Sequence, residues 1–183
     1  MAEIGGLDDA LKHVENRRVA VQAGGNVGVY PKHLARVFDA VYTIEPELLN
    51  FTCLKANIVE PNVTIFNAAL GESSAKSVSV FNPNPSNNGT FQVAGEGSIP
   101  VMRIDDMGLK HCDFIQLDIE GMELLALYGG TKTIERFKPV IMIEDRGYSA
   151  FFGKSAENID EYFSSIGYRM VDKFHHDVLF VPR

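Results

Sequence analysis

Arg18-Val19-Ala20-Val21-Gln22-Ala23-Gly24-Gly25-Asn26-Val27-Gly28 is the stretch on which the reading of the fold turns. Residues 18–22 form a short apolar run of strand composition that breaks abruptly into glycine. Glycine directly after a strand lets the backbone turn tightly and come close to a ligand. Past Gly28, the residues Tyr30, Leu34 and Val37 share one face of a helical pattern. The start of such a helix offers free N–H groups to a bound molecule. Taken alone, the segment fits a ligand loop and a plain strand-to-helix turn about equally well.

The same alternation continues outward. An amphipathic segment, Leu7 to Asn16, precedes the strand. A second strand runs from Ala40 to Ile44, then Pro46 opens a helix with Leu48, Phe51, Leu54 and Ile58 spaced for a buried stripe. Val63 to Phe66 is a third strand, and 82–90 is a turn-rich loop between two β-like runs. Phe114 to Ile119 reads as the fourth strand, followed by a helix from Met122 to Tyr128 that Gly129-Gly130 stops. Pro139 to Ile143 is the fifth, and Ser155 suits the N-cap of a helix ending at Gly167. Tyr168 to Asp172 and Val178 to Val181 close the chain as a hairpin.

Strands alternating with helices imply a parallel sheet with right-handed crossovers. The short final connection makes the last strand antiparallel to its partner. Ligands of such an α/β sheet lie at the carboxyl ends of its strands, which directs attention to the loops after Gln22, Ile44, Phe66, Ile119 and Ile143.

The 183 residues suffice for one hydrophobic core and are short for two domains. The expectation is a single domain over 1–183, with a helical segment at 1–17 and the hairpin at 168–183. At 45% apolar and 22% charged, the composition is that of a globular protein. No apolar run approaches the roughly 18–20 residues that span a bilayer, and the N-terminus lacks signal-peptide character. A soluble, cytoplasmic protein without membrane partners is expected. Seventeen basic against twenty-four acidic residues give a net charge of −7, which argues against broad nucleic-acid binding. Cys53 and Cys112 are too few and too far apart for a zinc site and read as reduced thiols.

Two carboxylate features sharpen the site. Glu45 ends the second strand, where its side chain can accept both hydroxyl protons of a ribose, although it also suits a helix N-terminus. With the glycine loop it favours an adenosine-type cofactor, leaving nicotinamide dinucleotides and S-adenosylmethionine both open. Asp118-Ile119-Glu120-Gly121-Met122-Glu123 then sets three acids within one turn at the ligand edge. The helix dipole accounts for Glu120 or Glu123 better than for Asp118. Acids crowded in this way raise at least one pKa unless they share a cation or a proton.

Residues 21–28, Ile44-Glu45-Pro46, Asn67-Ala68-Ala69-Leu70-Gly71 and the Asp118–Glu123 segment together resemble the successive motifs of the FkbM-like methyltransferases. The similarity runs from about Val19 to Asp145. It implies a Rossmann-like, seven-stranded class I methyltransferase fold with helices on both faces and S-adenosylmethionine as cofactor. Most such enzymes act on hydroxyl oxygens of sugars or polyketides. Carried over residue by residue, Gly24, Gly25, Asn26 and Gly28 would wrap the methionine part of the cofactor. Glu45 would hold the ribose, and Asn67 and Ala68 would border the adenine. Asp118 would lie near the amino group or the transferring methyl. The family's first strand usually ends in an acid, and Gln22 stands there in this chain, keeping an acceptor oxygen without the charge.

Asp118, Glu120 and Glu144 are the candidate catalytic bases, all near strand ends. Asp118, Glu144 and Asp145 could instead hold Mg²⁺, the less favoured reading, and the metal ligands are left unassigned. Either histidine of His175-His176 is a minor candidate base if the sixth strand runs parallel to the first five. Segments 82–97 and 145–154, with Tyr148, Phe151 and Phe152, are candidate acceptor contacts. The expected acceptor is a small hydroxylated molecule or glycan, bound in an open, shallow site or in one that a second subunit of a homo-oligomer completes. The alternatives are a dinucleotide-dependent oxidoreductase, for which no Lys/Tyr pair is evident, and a non-catalytic relative of the fold.

Overall fold

The computed structural model describes residues 5–84, 86, 90–145 and 156–183. Its strands are β1 (Val19–Ala23), β2 (Ala40–Ile44), β3 (Val63–Phe66), β4 (Ala69–Leu70), β5 (Ser77–Phe81), β6 (Gln92–Met102), β7 (Phe114–Leu117), β8 (Val140–Glu144), β9 (Tyr168–Phe174) and β10 (Asp177–Pro182). Seven of them form one sheet in the order β3-β2-β1-β7-β8-β10-β9. β10 is antiparallel to both of its neighbours, and the other pairings are parallel. From β1 the chain steps outward to β2 and β3, then returns to the other side of β1 as β7. That reversal opens a crevice at the carboxyl ends of β1 and β7.

Side chains alternate across the sheet, and each face has its own apolar layer. Val21, Ala23, Ile115 and Ile141 face Leu124 and Leu127 of α4 (Glu123–Tyr128), Ile134 of α5 (Thr131–Phe137), and Ile159 and Phe163 of α6 (Ala156–Ser165). Phe163 stacks on Phe180 of β10 with ring centroids 3.7 Å apart. The opposite face buries Ala20, Phe114, Met142 and Leu179 against Leu7 of α1 (Gly5–Ala10) and Leu34 of α2 (Val29–Leu34). Helices therefore cover both faces, as expected. No helix among the described residues is long and apolar enough to cross a membrane.

Several boundaries differ from the sequence reading for local reasons. The fourth strand stops at Leu117, because Glu120 (φ 54°) and Gly121 (φ 106°) turn the chain. Pro46 lies before α3 (Leu48–Asn57), whose cap is Glu47, its carboxylate accepting the Asn50 N–H at 2.6 Å. The expected stripe on that helix is only half buried. Leu54 is enclosed, whereas Leu48 is 67% exposed, because only the later part of the helix packs beneath the glycine loop. The Gly129-Gly130 pair separates two helices rather than ending one segment. A side chain at Gly129 would strike the Gly71 carbonyl at 2.0 Å. The β-like runs around residues 82–90 form a hairpin of β5 and β6, which β4 joins into a separate three-stranded sheet. The Ser155 cap, Tyr148, Phe151 and Phe152 lie outside the described residues.

Candidate functional site

The glycine loop is pinned at the crevice by its own backbone. The N–H groups of Gly24 and Gly25 both donate to the Ile44 carbonyl at 3.0 Å, and Gly28 donates to Gly25 at 2.8 Å. Gly24 has φ 83°, and a Cβ there would sit 1.9 Å from the carbonyl oxygen of Asp118. A Cβ at Gly25 would meet Thr43 Oγ1 and Leu54 at 2.8 Å. These glycines thus bring the loop between β1 and α2 directly against Asp118 and α3. Asn26 adopts φ 45°, a left-handed conformation that asparagine tolerates better than most residues.

Glu45 closes the loop from the next strand. One carboxylate oxygen, Oε2, accepts the Asn26 N–H at 2.8 Å, and Oε1 accepts the Glu47 N–H at 2.9 Å. Burial raises its pKa, and the two N–H donors oppose that rise without cancelling it. Each oxygen has further lone pairs, so this orientation still permits a diol to donate to it. Asn67 has a supporting position: its Nδ2 donates to the carbonyls of Glu45 and Pro46 at 2.9 and 3.0 Å.

The acids behind β7 have separate environments. Asp118 continues the β1 ladder by donating its N–H to Ala23 at 3.1 Å. Its carboxyl bonds to Glu144, and desolvation followed by the Glu144 charge raises its pKa well above the ordinary range. Two carboxylates joined in this way share a proton. Glu120, Asp118 and Glu144 each offer an oxygen, and those oxygens lie within 4.8 Å of one another. Glu123 does different work. Its Oε1 accepts the N–H groups of Ile119 and Gly121 at 3.1 and 3.2 Å, holding the turn, while burial pushes its pKa up to about 7.

These elements enclose a cavity of about 370 Å³, lined by Gly24, Gly25, Asn26, Glu45, Ala68, Asp118 and Glu120 among others. That size suits a small organic ligand. Four expected site residues do not line it: Gln22, Gly28, Asn67 and Glu144. Gln22 is wholly buried; its Oε1 accepts the Thr43 hydroxyl at 2.5 Å and its Nε2 donates to Ala23 at 3.1 Å. The acceptor oxygen expected to serve a cofactor is therefore occupied within the sheet. Gly28 instead packs on Leu54 and Ile58, and Glu144 stands beside Asp118, one strand further along.

Sequence reasoning missed Tyr30 as a site residue, having placed it on the core face of α2. It does pack against that core, yet it also lines the cavity. Burial, then the charges of Asp177, Asp118 and Glu144, lift its phenol pKa far above the usual value. A neutral phenol facing three acids was visible only as an aromatic two residues after Gly28. Leu70 and Met122 also line the cavity unforeseen, while Thr90, Phe91 and Val93 come from the segment expected to meet the acceptor. β9 does run parallel to β8, so the His175-His176 turn reaches the carboxyl edge, where the backbone carbonyl of His176 accepts the Asp145 N–H at 2.7 Å. Neither histidine lines the cavity.

A family model described as the methyltransferase FkbM domain matches residues 22–170. The chain belongs to this family. Methyltransferase FkbM from Methylobacillus flagellatus KT is similar in structure, with a TM-score of 0.64 at 24% identity over 90% of this chain and 43% of that one. The FkbM domain here thus spans less than half the length of that relative. M. capricolum TrmK, solved with S-adenosyl-homocysteine, matches with a TM-score of 0.54 at 9% identity, covering 97% of this chain and 66% of its own. An rRNA methylase from Streptococcus thermophilus matches at 0.53 and 14% identity, over 100% and 97%. At these identities the likeness is one of fold, the seven-stranded class I methyltransferase fold. No curated protein matches the chain. The FkbM match covers the glycine loop, Glu45, Ala68 and the Asp118–Glu123 turn, the same segments that meet at the cavity.

Proposed function

We propose that this FkbM domain is an S-adenosylmethionine-dependent O-methyltransferase, cytoplasmic, acting on a hydroxyl of a sugar, glycan or other small hydroxylated metabolite. The observation that carries the reading is the convergence of the glycine loop, Glu45 and Asp118 on one cavity at the point where strand order reverses. Glycine is what seats the loop at that point, since side chains at Gly24 and Gly25 would collide with the backbone of Asp118 and the side chains of Thr43 and Leu54.

When bound, the cofactor supplies a methyl group already activated by the sulfonium charge. The backbone of 24–26 would hold its amino-acid portion, and Glu45, oriented by two N–H donors, would accept from the ribose. Asp118, which lines the same cavity as the Tyr30 phenol, would lie towards the reacting end. Alignment of this kind contributes about 7–11 kcal/mol to barrier lowering. A base adds about 10²–10⁴-fold for a hydroxyl nucleophile. With one proton shared between Asp118 and Glu144, the remaining carboxylate charge would be the base that takes the proton given up by the acceptor hydroxyl. Asp118, Glu120 and Glu144 also form a hard donor set suited to Mg²⁺.

The test is calorimetric titration with S-adenosylhomocysteine and, separately, NAD, followed by a tritiated-methyl transfer screen over glycans and hydroxylated metabolites. Binding of S-adenosylhomocysteine and label on a hydroxyl oxygen are expected. NAD binding without S-adenosylhomocysteine binding would overturn the assignment. Turnover that withstands full chelation would dismiss the Mg²⁺ reading.

A further inference from the structure

The cavity changes chemistry along the carboxyl edge of the sheet. Strand order places Asp118, after β7, at one end, then the glycine loop after β1, Glu45 after β2, and Ala68 after β3. The Asp118 end is acidic and holds the Tyr30 phenol. The Ala68 end is apolar: Ala68, Ala69 and Leu70 form one wall, and Met122 packs near it, 4.0 Å from where a Cβ on Gly71 would lie. Phe91 and Val93 complete that lining, and both come from the β5–β6 hairpin rather than from the main sheet.

Phe91 is unusual among the aromatic residues. It is half-buried, belongs to neither apolar layer of the main sheet, and lines the cavity. Its hairpin is tied to the main body through β4, by the pairs Ala69–Val101 and Leu70–Met102. The strand carrying the alanine wall is therefore hydrogen-bonded to the strand that leads back to Phe91. A half-buried aromatic ring and a wall of small residues lining one cavity suit a flat ring. The ligand order that fits is a flat apolar heterocycle at Ala68, a diol at Glu45 and a cation at Asp118.

We propose that Phe91 clamps the adenine of the cofactor, its ring covering one face of the base. This assignment rests on the S-adenosylmethionine reading above. It moves the described hairpin residues Thr90, Phe91 and Val93 from the acceptor, where the sequence placed them, to the cofactor. The acceptor then approaches from the side of Tyr30 and Asp118.

Calorimetry of the full chain with two ligands, S-adenosylhomocysteine and adenosine, tests the proposal. Phe91→Ala should weaken both by the same factor, about tenfold or more, the usual scale of base–aromatic stacking. Phe91→Tyr, which keeps the ring, should retain wild-type affinity for both. Asp118→Asn, at the other end, should leave adenosine unchanged. Thermal unfolding without ligand checks that Phe91→Ala remains folded. Wild-type affinity for both ligands in Phe91→Ala overturns the clamp, as does loss of S-adenosylhomocysteine with adenosine unaffected. A wild-type protein that binds neither ligand overturns the cofactor reading itself.

Discussion

The carboxylate of Glu45 is bonded to the backbone of Asn26, whose N–H donates to Oε2 at 2.8 Å. One strand end thereby fixes the loop that follows another. Replacing Glu45 with Ala leaves the N–H groups of Asn26 and Glu47 without that acceptor. The expected cost is about 1.5–3 kcal/mol of stability, the range for hydrogen bonds to a charged group. Affinity for S-adenosylhomocysteine should fall at least about tenfold, since 1.4 kcal/mol of binding is a factor of ten. Glu45→Gln, which retains one oxygen, should lose less of both. Denaturant midpoints and calorimetry decide it, and unchanged values for Glu45→Ala would mean that the loop holds itself.

Gly24→Ala should be the most damaging single methyl group in the site. The residue sits at φ 83°, and the new Cβ would lie 1.9 Å from the Asp118 carbonyl. The left-handed conformation alone costs about 1–2 kcal/mol, and the clash is with backbone that cannot swing away. We expect S-adenosylhomocysteine binding to disappear while the circular dichroism spectrum stays native. A Gly24→Ala protein with wild-type affinity would show that the loop does not rest against Asp118.

Glu123 should make stability depend on pH. Burial pushes its pKa up to about 7 in the folded chain, from an ordinary value of 4.5. The folded state therefore keeps a proton that the unfolded state has already released. Stability falls as pH rises from about 4.5 towards 7, and levels off above. Glu123→Gln retains an oxygen for the Ile119 and Gly121 N–H groups and removes the charge. It should be more stable than wild type at pH 8, by up to about 3 kcal/mol, with the gap closing at pH 5. Urea unfolding of both proteins across that range would show whether the gap depends on pH at all.

The Asp118–Glu144 pair should couple cofactor binding to proton release. Asp118, desolvated and beside the Glu144 charge, holds its proton well above the ordinary carboxylate range. A cation bound beside Asp118 favours the ionised form, so S-adenosylmethionine should expel part of that proton. Its affinity then rises with pH until the pair is ionised in the free protein. Titrations in buffers of different ionisation heat should give different apparent enthalpies for S-adenosylmethionine and a smaller difference for S-adenosylhomocysteine, which lacks the sulfonium charge. In Asp118→Asn the buffer dependence should vanish. Identical enthalpies in all buffers for wild type would place the cation elsewhere.

Much of the fold was legible because its signals are local. The apolar run at 18–22 and the glycines after it announce a buried parallel strand and its turn, whatever surrounds them. The short polar turn at 174–177 likewise announces an antiparallel closing hairpin. Element limits were less legible. Whether β7 ends at Leu117 or two residues later depends on the left-handed turn at Glu120, which Glu123 holds by accepting the N–H of Gly121. The helix over Thr131–Phe137 went unread because the glycines before it signal an end more strongly than a start.

The sequence by itself determined the seven strands of the main sheet in chain order, the glycine loop, and the acids that reach the carboxyl edge. Hydrophobic period and turn chemistry act between near neighbours and can be read without coordinates. Tertiary structure alone decided which of those groups share a cavity. It turned Gln22 inward onto Thr43, made Asn67 a brace for the Glu45 strand end, and paired Asp118 with Glu144. It also brought Phe91, just before β6 of a separate sheet, and Tyr30 from a core helix to the same space. Such relationships depend on strand register and on packing between segments far apart in the chain, and a linear pattern encodes neither.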